Sequence, residues 1–191
     1  MAKLESNIRN MVLSLTIIAV AAAAILALVS SVTAEPIALA KKAKQEAAIR
    51  MVLPPFEQLQ NDTATFNGIQ YPYFKAFNES NEMVGMAVQS GSENGFGGYI
   101  GIMIGFDNKG AISGYQILET SETPGLGSKA DVWFQKGGKG CVYGNDCKQD
   151  LVVSKDGGQI DAISGATITS RAILQAINDA HSVFTQKQSQ Q

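Results

Sequence analysis

An uncharged run stretches from Met11 to Ala34 and limits every fold this chain can adopt. Its only polar side chains are Ser14, Thr16, Ser30, Ser31 and Thr33. Hydroxyls of this kind can bond back to a carbonyl of their own helix. Some 22 residues at about 1.5 Å rise span about 33 Å, enough for a hydrocarbon core of about 30 Å. The run therefore reads as a single transmembrane helix over residues 11–34, after a short N-terminal tail over 1–10. A cleaved leader is the competing reading, with Lys3 and Arg9 as its basic region and Val32-Thr33-Ala34 as a small-residue cleavage site. The apolar stretch exceeds the usual leader core of about 7–15 residues, which favours a retained anchor. Lys41, Lys42, Lys44 and Arg50 follow the run as Lys3 and Arg9 precede it, so basic residues do not choose a side of the membrane.

The rest of the 191-residue chain suits one domain. Residues 35–55 mix alanine, lysine and isoleucine in a helical pattern that Pro54-Pro55 stops, a juxtamembrane helix or linker. Residues 56–191 then form the domain proper. Tyr71–Phe77 and Met83–Gln89 are strand candidates around an Asn78–Asn81 turn. Ile100, Ile102, Ile104 and Phe106 alternate like a half-buried strand. Asp107-Asn108-Lys109-Gly110 reads as a turn into a second strand. In that strand Ile112, Gly114, Gln116 and Leu118 share one side, and Ala111, Tyr115 and Ile117 the other. Leu151–Ser154 is a further short strand candidate, and Trp133 and Phe134 are core candidates, one of them alternatively near a bound group. The expected fold class is α+β: an anchor helix, then a twisted, mostly antiparallel sheet with flanking helices.

Composition removes several functions. The formal net charge is −2, and no basic patch interleaved with aromatics suggests a nucleic-acid partner. No dinucleotide or Walker-type glycine pattern is present. Cys141 and Cys147 are too few for a structural zinc site, and the lone histidine, His181, is distant in sequence. The two thiols are compatible with a disulfide closing a small loop in an oxidising compartment, or with free cysteines. His181 is expected on the polar side of the last helix.

Two segments carry chemistry. Asp161-Ala162-Ile163-Ser164-Gly165-Ala166-Thr167 precedes a helical pattern with Ala166, Ile173, Ile177, Ala180 and Phe184 on or near one face. That places Thr167 in the first helical turn, where unpaired amides carry partial positive charge and favour a phosphate. Asp161 or Ser164 could cap this helix. Glu122-Thr123-Pro124-Gly125-Leu126-Gly127 reads as a turn: Pro124 fixes one angle, Gly125 permits a left-handed residue, and Gly127 allows close approach of a flat ring.

The first segment closely resembles the flavinylation motif Asp-x-x-(Ser/Thr)-Gly-Ala-Thr, in which a flavin transferase moves FMN from FAD onto the last threonine as a phosphoester. The run from Gly97 to Gly127 resembles the FMN-binding domain of the Rnf and Nqr respiratory complexes, whose strand pair leads into a Glu-Thr-Pro-Gly-Leu-Gly loop, complete here from Glu122. That family often has a histidine shortly before the glutamate; Thr120 and Ser121 stand there instead. Length and the single anchor are more similar to the G subunits of Rnf complexes than to the longer C subunits of sodium-pumping NADH:quinone reductases.

The resemblance implies Thr167 as the covalent FMN site, with Thr169 and Ser170 as secondary hydroxyls. It implies that Ser164, Gly165 and Ala166 shape the phosphate turn, and that Asp161 either helps the transferase or caps the helix. It implies ring contacts from Glu122, Thr123, Gly125 and Leu126. It further implies a single-pass protein of the cytoplasmic membrane with its domain on the periplasmic or equivalent side. There it would relay single electrons among the other membrane and redox subunits of an ion-translocating ferredoxin:NAD complex, with no substrate turnover of its own. A C-subunit-like component of a sodium-pumping NADH:quinone reductase, a stand-alone membrane-anchored flavin reductase and a non-redox assembly module are the alternatives.

Overall fold

The computed structural model describes residues 7–189; Lys3 lies outside them. Helix α1 runs Ile8–Val52 with Pro36 inside it, so the expected anchor and juxtamembrane segments lie on one continuous helix. It is long and apolar enough to cross a membrane. Its hydroxyls turn back on the helix: Ser14 donates to the Met11 carbonyl at 3.0 Å, Thr16 to Val12 at 2.8 Å and Thr33 to Val29 at 2.8 Å. Each of these three hydroxyls thereby finds a partner without water. The helix ends just before Leu53, whose helical conformation Pro54 disfavours.

The chain divides into two compact units, Met1–Ala43 and Lys44–Gln191. The second contains a five-stranded sheet in chain order, every neighbouring pair antiparallel. The strands are β1 (Gln58–Phe66), β2 (Ile69–Phe77), β3 (Met83–Gly95), β4 (Gly98–Asp107) and β5 (Ile112–Thr120). A short helix α2 (Ala130–Trp133) and a long one, α3 (Thr167–Gln188), follow. The class is α+β, as expected. Strand β1 has no apolar alternation to announce it; it is an exposed edge. Its local signal is Asn67-Gly68, both at positive φ (51° and 78°), which closes a tight hairpin.

Each face of the sheet is covered by one helix. On one side Tyr73, Met86, Val88, Ile102, Ile104 and Phe106 pack with Ile173, Leu174, Ile177, Ala180, Val183 and Phe184 of α3. On the other, Ala48, Ile49 and Val52 from the end of α1 pack with Ala76, Ala87 and Met103. Strand β4 is therefore buried on both faces rather than half-buried. Its second face is made of Gly101, Met103 and Gly105, and the small residues let α1 approach closely. A Cβ on Gly105 would stand 2.1 Å from the Val52 carbonyl oxygen, and one on Gly114 2.2 Å from the Val52 Cα. Ser113 donates to that same carbonyl at 2.6 Å.

Three further expectations change. Ile112 joins Tyr115 and Ile117 in the α3-side core, because a register shift at Gly105/Phe106 flips its side of the strand. Leu151–Ser154 forms no strand, only a Val153–Ile160 bridge; the chain turns at once through a 3-10 turn, Ser154–Asp156. Phe134 is fully buried, and Trp133, half-buried, packs against the same core and donates Nε1–H to the Asp161 carbonyl at 2.7 Å. Cys141 and Cys147 are both free. Cys147 packs into the core, where burial pushes its thiol up to about 12.

His181 is half-buried rather than on a polar face, its ring 5.7 Å from Phe106 and 6.2 Å from Phe184. Burial holds its pKa below the ordinary 6.5, against the opposing pull of Asp146 and Asp150. A histidine with a depressed folded pKa contributes stability that is present above the ordinary value and lost as pH falls below it. The thermal midpoint should fall as pH drops from 7 toward 5. His181→Gln should flatten that slope, and an unchanged slope in the variant would exclude this origin.

Candidate functional site

Four segments converge on one cleft of about 330 Å³, within the size range of small-molecule sites. They are Phe96 at the β3–β4 hairpin tip, the loop after β5, Lys155 on the Ser154–Asp156 turn, and the residues around the start of α3.

The loop after β5 is a β-turn. The Leu126 amide donates to the Thr123 carbonyl at 3.2 Å, and Gly125 adopts φ 76° at the third position. Proline second and a positive-φ glycine third is the type II pattern. The Ser128 hydroxyl secures it by accepting from the Gly125 amide at 2.9 Å. This turn swings Glu122, Thr123 and Leu126 into the cleft wall, while Gly125 does not line it. Glu122 is almost fully buried. Its Oε1 accepts from the Gly97 amide at 3.3 Å, and its Oε2 has no partner.

The opposite wall begins at Gly165, whose φ of 79° reverses the chain before α3. Ser170 braces that turn from below: its hydroxyl donates to the Ala166 carbonyl at 3.0 Å and accepts from the Ile163 amide at 2.9 Å. No side chain caps α3. Asp161 and Ser164 are both exposed and neither lines the cleft. The Asp161 carboxylate instead accepts from the Ser154 hydroxyl at 3.3 Å. The first amides of α3 therefore lack the side-chain oxygen that usually satisfies them. Gly165, Ala166, Thr167, Ile168 and Thr169 line the cleft at this end.

Three hydroxyls stand within one turn. Thr167 is half-exposed and accepts from the Lys155 ammonium at 3.1 Å. Thr169 is fully buried, and its Oγ1 has no partner. Ser170 is fully buried and fully engaged.

Sequence reasoning missed three residues of the cleft, Phe96, Lys155 and Ile168. An aromatic between glycines at a hairpin tip, 69% exposed, is the signal that could have found Phe96. Lys155 carried no local signal, because only the turn after Val153 aims it at Thr167.

Residues 95–182 match the FMN-binding domain family, an interval that contains every residue of the cleft. The chain is 20% identical to NqrC of Shewanella oneidensis, with a TM-score of 0.50 over 69% of this chain and 70% of that one; the two share a fold. It is 37% identical over 109 residues to the G subunit of the Na(+)-translocating ferredoxin:NAD(+) oxidoreductase complex of Acetobacterium woodii, covering 54% of this chain and 50% of that protein. It is 32% identical over 182 residues to the G subunit of the ion-translocating oxidoreductase complex of Yersinia pestis, covering 88% of this chain and 86% of that protein. The chain belongs to the family of these G subunits.

Family membership and the domain match make FMN the group to test against the cleft. The residues fit it. Glu122 Oε2 is a buried acceptor awaiting a donor, and a flavin ring carries an N–H. Phe96 and Leu126, both exposed, offer apolar surface to a flat ring. The uncapped α3 amides and Lys155 form a positive end for a phosphate.

Proposed function

We propose that this chain is the electron-relay subunit of a membrane-bound ion-translocating ferredoxin:NAD oxidoreductase complex, with FMN esterified through its phosphate to Thr167. One observation carries the reading. Of the three hydroxyls at the start of α3, Thr167 is the one that is both open to an approaching group and beside a cation in the cleft. Bound FMN supplies one-electron chemistry; the protein supplies its position and surroundings. Glu122 lines the cleft and carries a buried, unpartnered carboxylate oxygen, which would accept a hydrogen bond from the N–H edge of the ring. Phe96 and Leu126 shield the ring faces from water. The first amides of α3 hold the phosphate.

Helix α1 keeps the domain at the bilayer, on the extracytoplasmic side, where electron transfer to neighbouring redox subunits requires close approach. A dissociating flavin would be lost by dilution on that side, whereas a tethered one stays at high local concentration beside its cleft. A flavin transferase installs it there. The test is to coexpress the full chain with such a transferase and run it on a denaturing gel under ultraviolet light. A fluorescent band, with intact mass raised by one esterified FMN, is expected. A dark band at the mass of the bare chain would end the proposal.

A further inference from the structure

We propose that Lys155 is a positioning residue for flavin attachment, the counter-charge that a clamped turn presents to the phosphoryl group arriving at Thr167. This rests on Thr167 being the attachment site. Lys155 sits in the middle of the Ser154–Asp156 turn. Two devices fix that turn. The Ser154 amide donates to the Ile160 carbonyl at 2.8 Å, and the Gly158 amide to Val153 at 3.1 Å. On its outer side Asp156 makes a bidentate pair with Arg171 of α3, Nε to Oδ2 at 2.6 Å and Nη2 to Oδ1 at 2.7 Å. Arg171 lies one turn beyond Thr167, so the pair ties the lysine-bearing turn to the helix that carries the hydroxyl. Lys155 Nζ then reaches Thr167 Oγ1 at 3.1 Å.

The Thr167 oxygen accepts this bond, which leaves its own proton free to depart. In the transfer Oγ1 attacks the flavin-side phosphorus of FAD. The Oγ1–P bond forms and the bridging P–O bond breaks. AMP leaves with the bonding pair, and the hydroxyl proton passes to the transferase or to water. Negative charge builds on Oγ1 and on the phosphoryl oxygens during attack, and one negative charge persists on the diester. The Lys155 ammonium faces both. A second group points to a ligand at the same spot: Thr169 also lines the cleft, and its buried Oγ1 has no partner in the protein.

The test is a time course of flavin attachment to the full-length chain in detergent, with flavin transferase and FAD, read by intact mass. Lys155→Met should slow attachment at least tenfold through kcat, with KM for the chain unchanged and the melting midpoint unmoved. Lys155→Arg should restore at least a third of the wild-type rate. The double variant Asp156→Asn/Arg171→Gln should fall between. Attachment to Lys155→Met at the wild-type rate overturns the assignment of Lys155 alone. So does equal slowing in the Met and Arg variants accompanied by a lowered melting midpoint. A wild-type chain that stays unmodified overturns the attachment site as well.

Discussion

Thr167→Ala is expected to give a folded chain with no covalent flavin at all. The only hydrogen bond its side chain makes among the described residues is the one accepted from Lys155, near the surface, so the fold loses almost nothing. The chemistry loses its nucleophile. Thr167→Ser, which keeps a hydroxyl in the same turn, should still be labelled. Thr169→Ala should be labelled too, because the Thr169 side chain is fully buried and presents no oxygen for attack. Intact mass of the three purified variants decides. Flavin on Thr167→Ala, or its loss from Thr169→Ala alone, would move the site.

Gly114→Ala is expected to destabilise the seat of α1 on the sheet. The added methyl would lie 2.2 Å from the Val52 Cα and 2.6 Å from its carbonyl oxygen, both backbone atoms that no rotamer change can move. The end of α1 would have to lift, weakening the seat of Ile49 and Val52 on Ala87 and Met103 and the Ser113 bond to the Val52 carbonyl. Overpacking of this kind costs about 1–3 kcal/mol. In a unit of this size that lowers the melting midpoint by about 3–10 °C. Calorimetry of the full chain in detergent measures it. A wild-type melting curve for Gly114→Ala would mean that the helix end does not seat as described.

Much of the cleft was legible because its parts are local. The Pro124-Gly125 pair builds its turn from two dihedral preferences. Thr167 opens α3 because the apolar periodicity begins there, next to the glycine that reverses the chain. What escaped was non-local. Asp161 and Ser164 have the right side chains for capping, yet the turn braced by Ser170 points them outward. His181 falls on a face that looks polar by spacing, but the sheet places Phe106 against it. Edge strand β1 was invisible because most of its side chains are exposed, with only Ala64 buried, and its place is fixed chiefly by backbone pairing and a hairpin turn.

The amino-acid order alone determined the apolar helix, its stop at the prolines, the Pro-Gly turn and the hydroxyl at a helix start. Each depends on covalent geometry and near-neighbour contacts, which travel with the residues themselves. Tertiary structure alone decided that β4 is covered on both faces, that Ile112 changes sides at a register shift, and that Glu122, Lys155 and Thr167 share one cleft. Those outcomes depend on where distant surfaces meet, and no short stretch of chain contains that information.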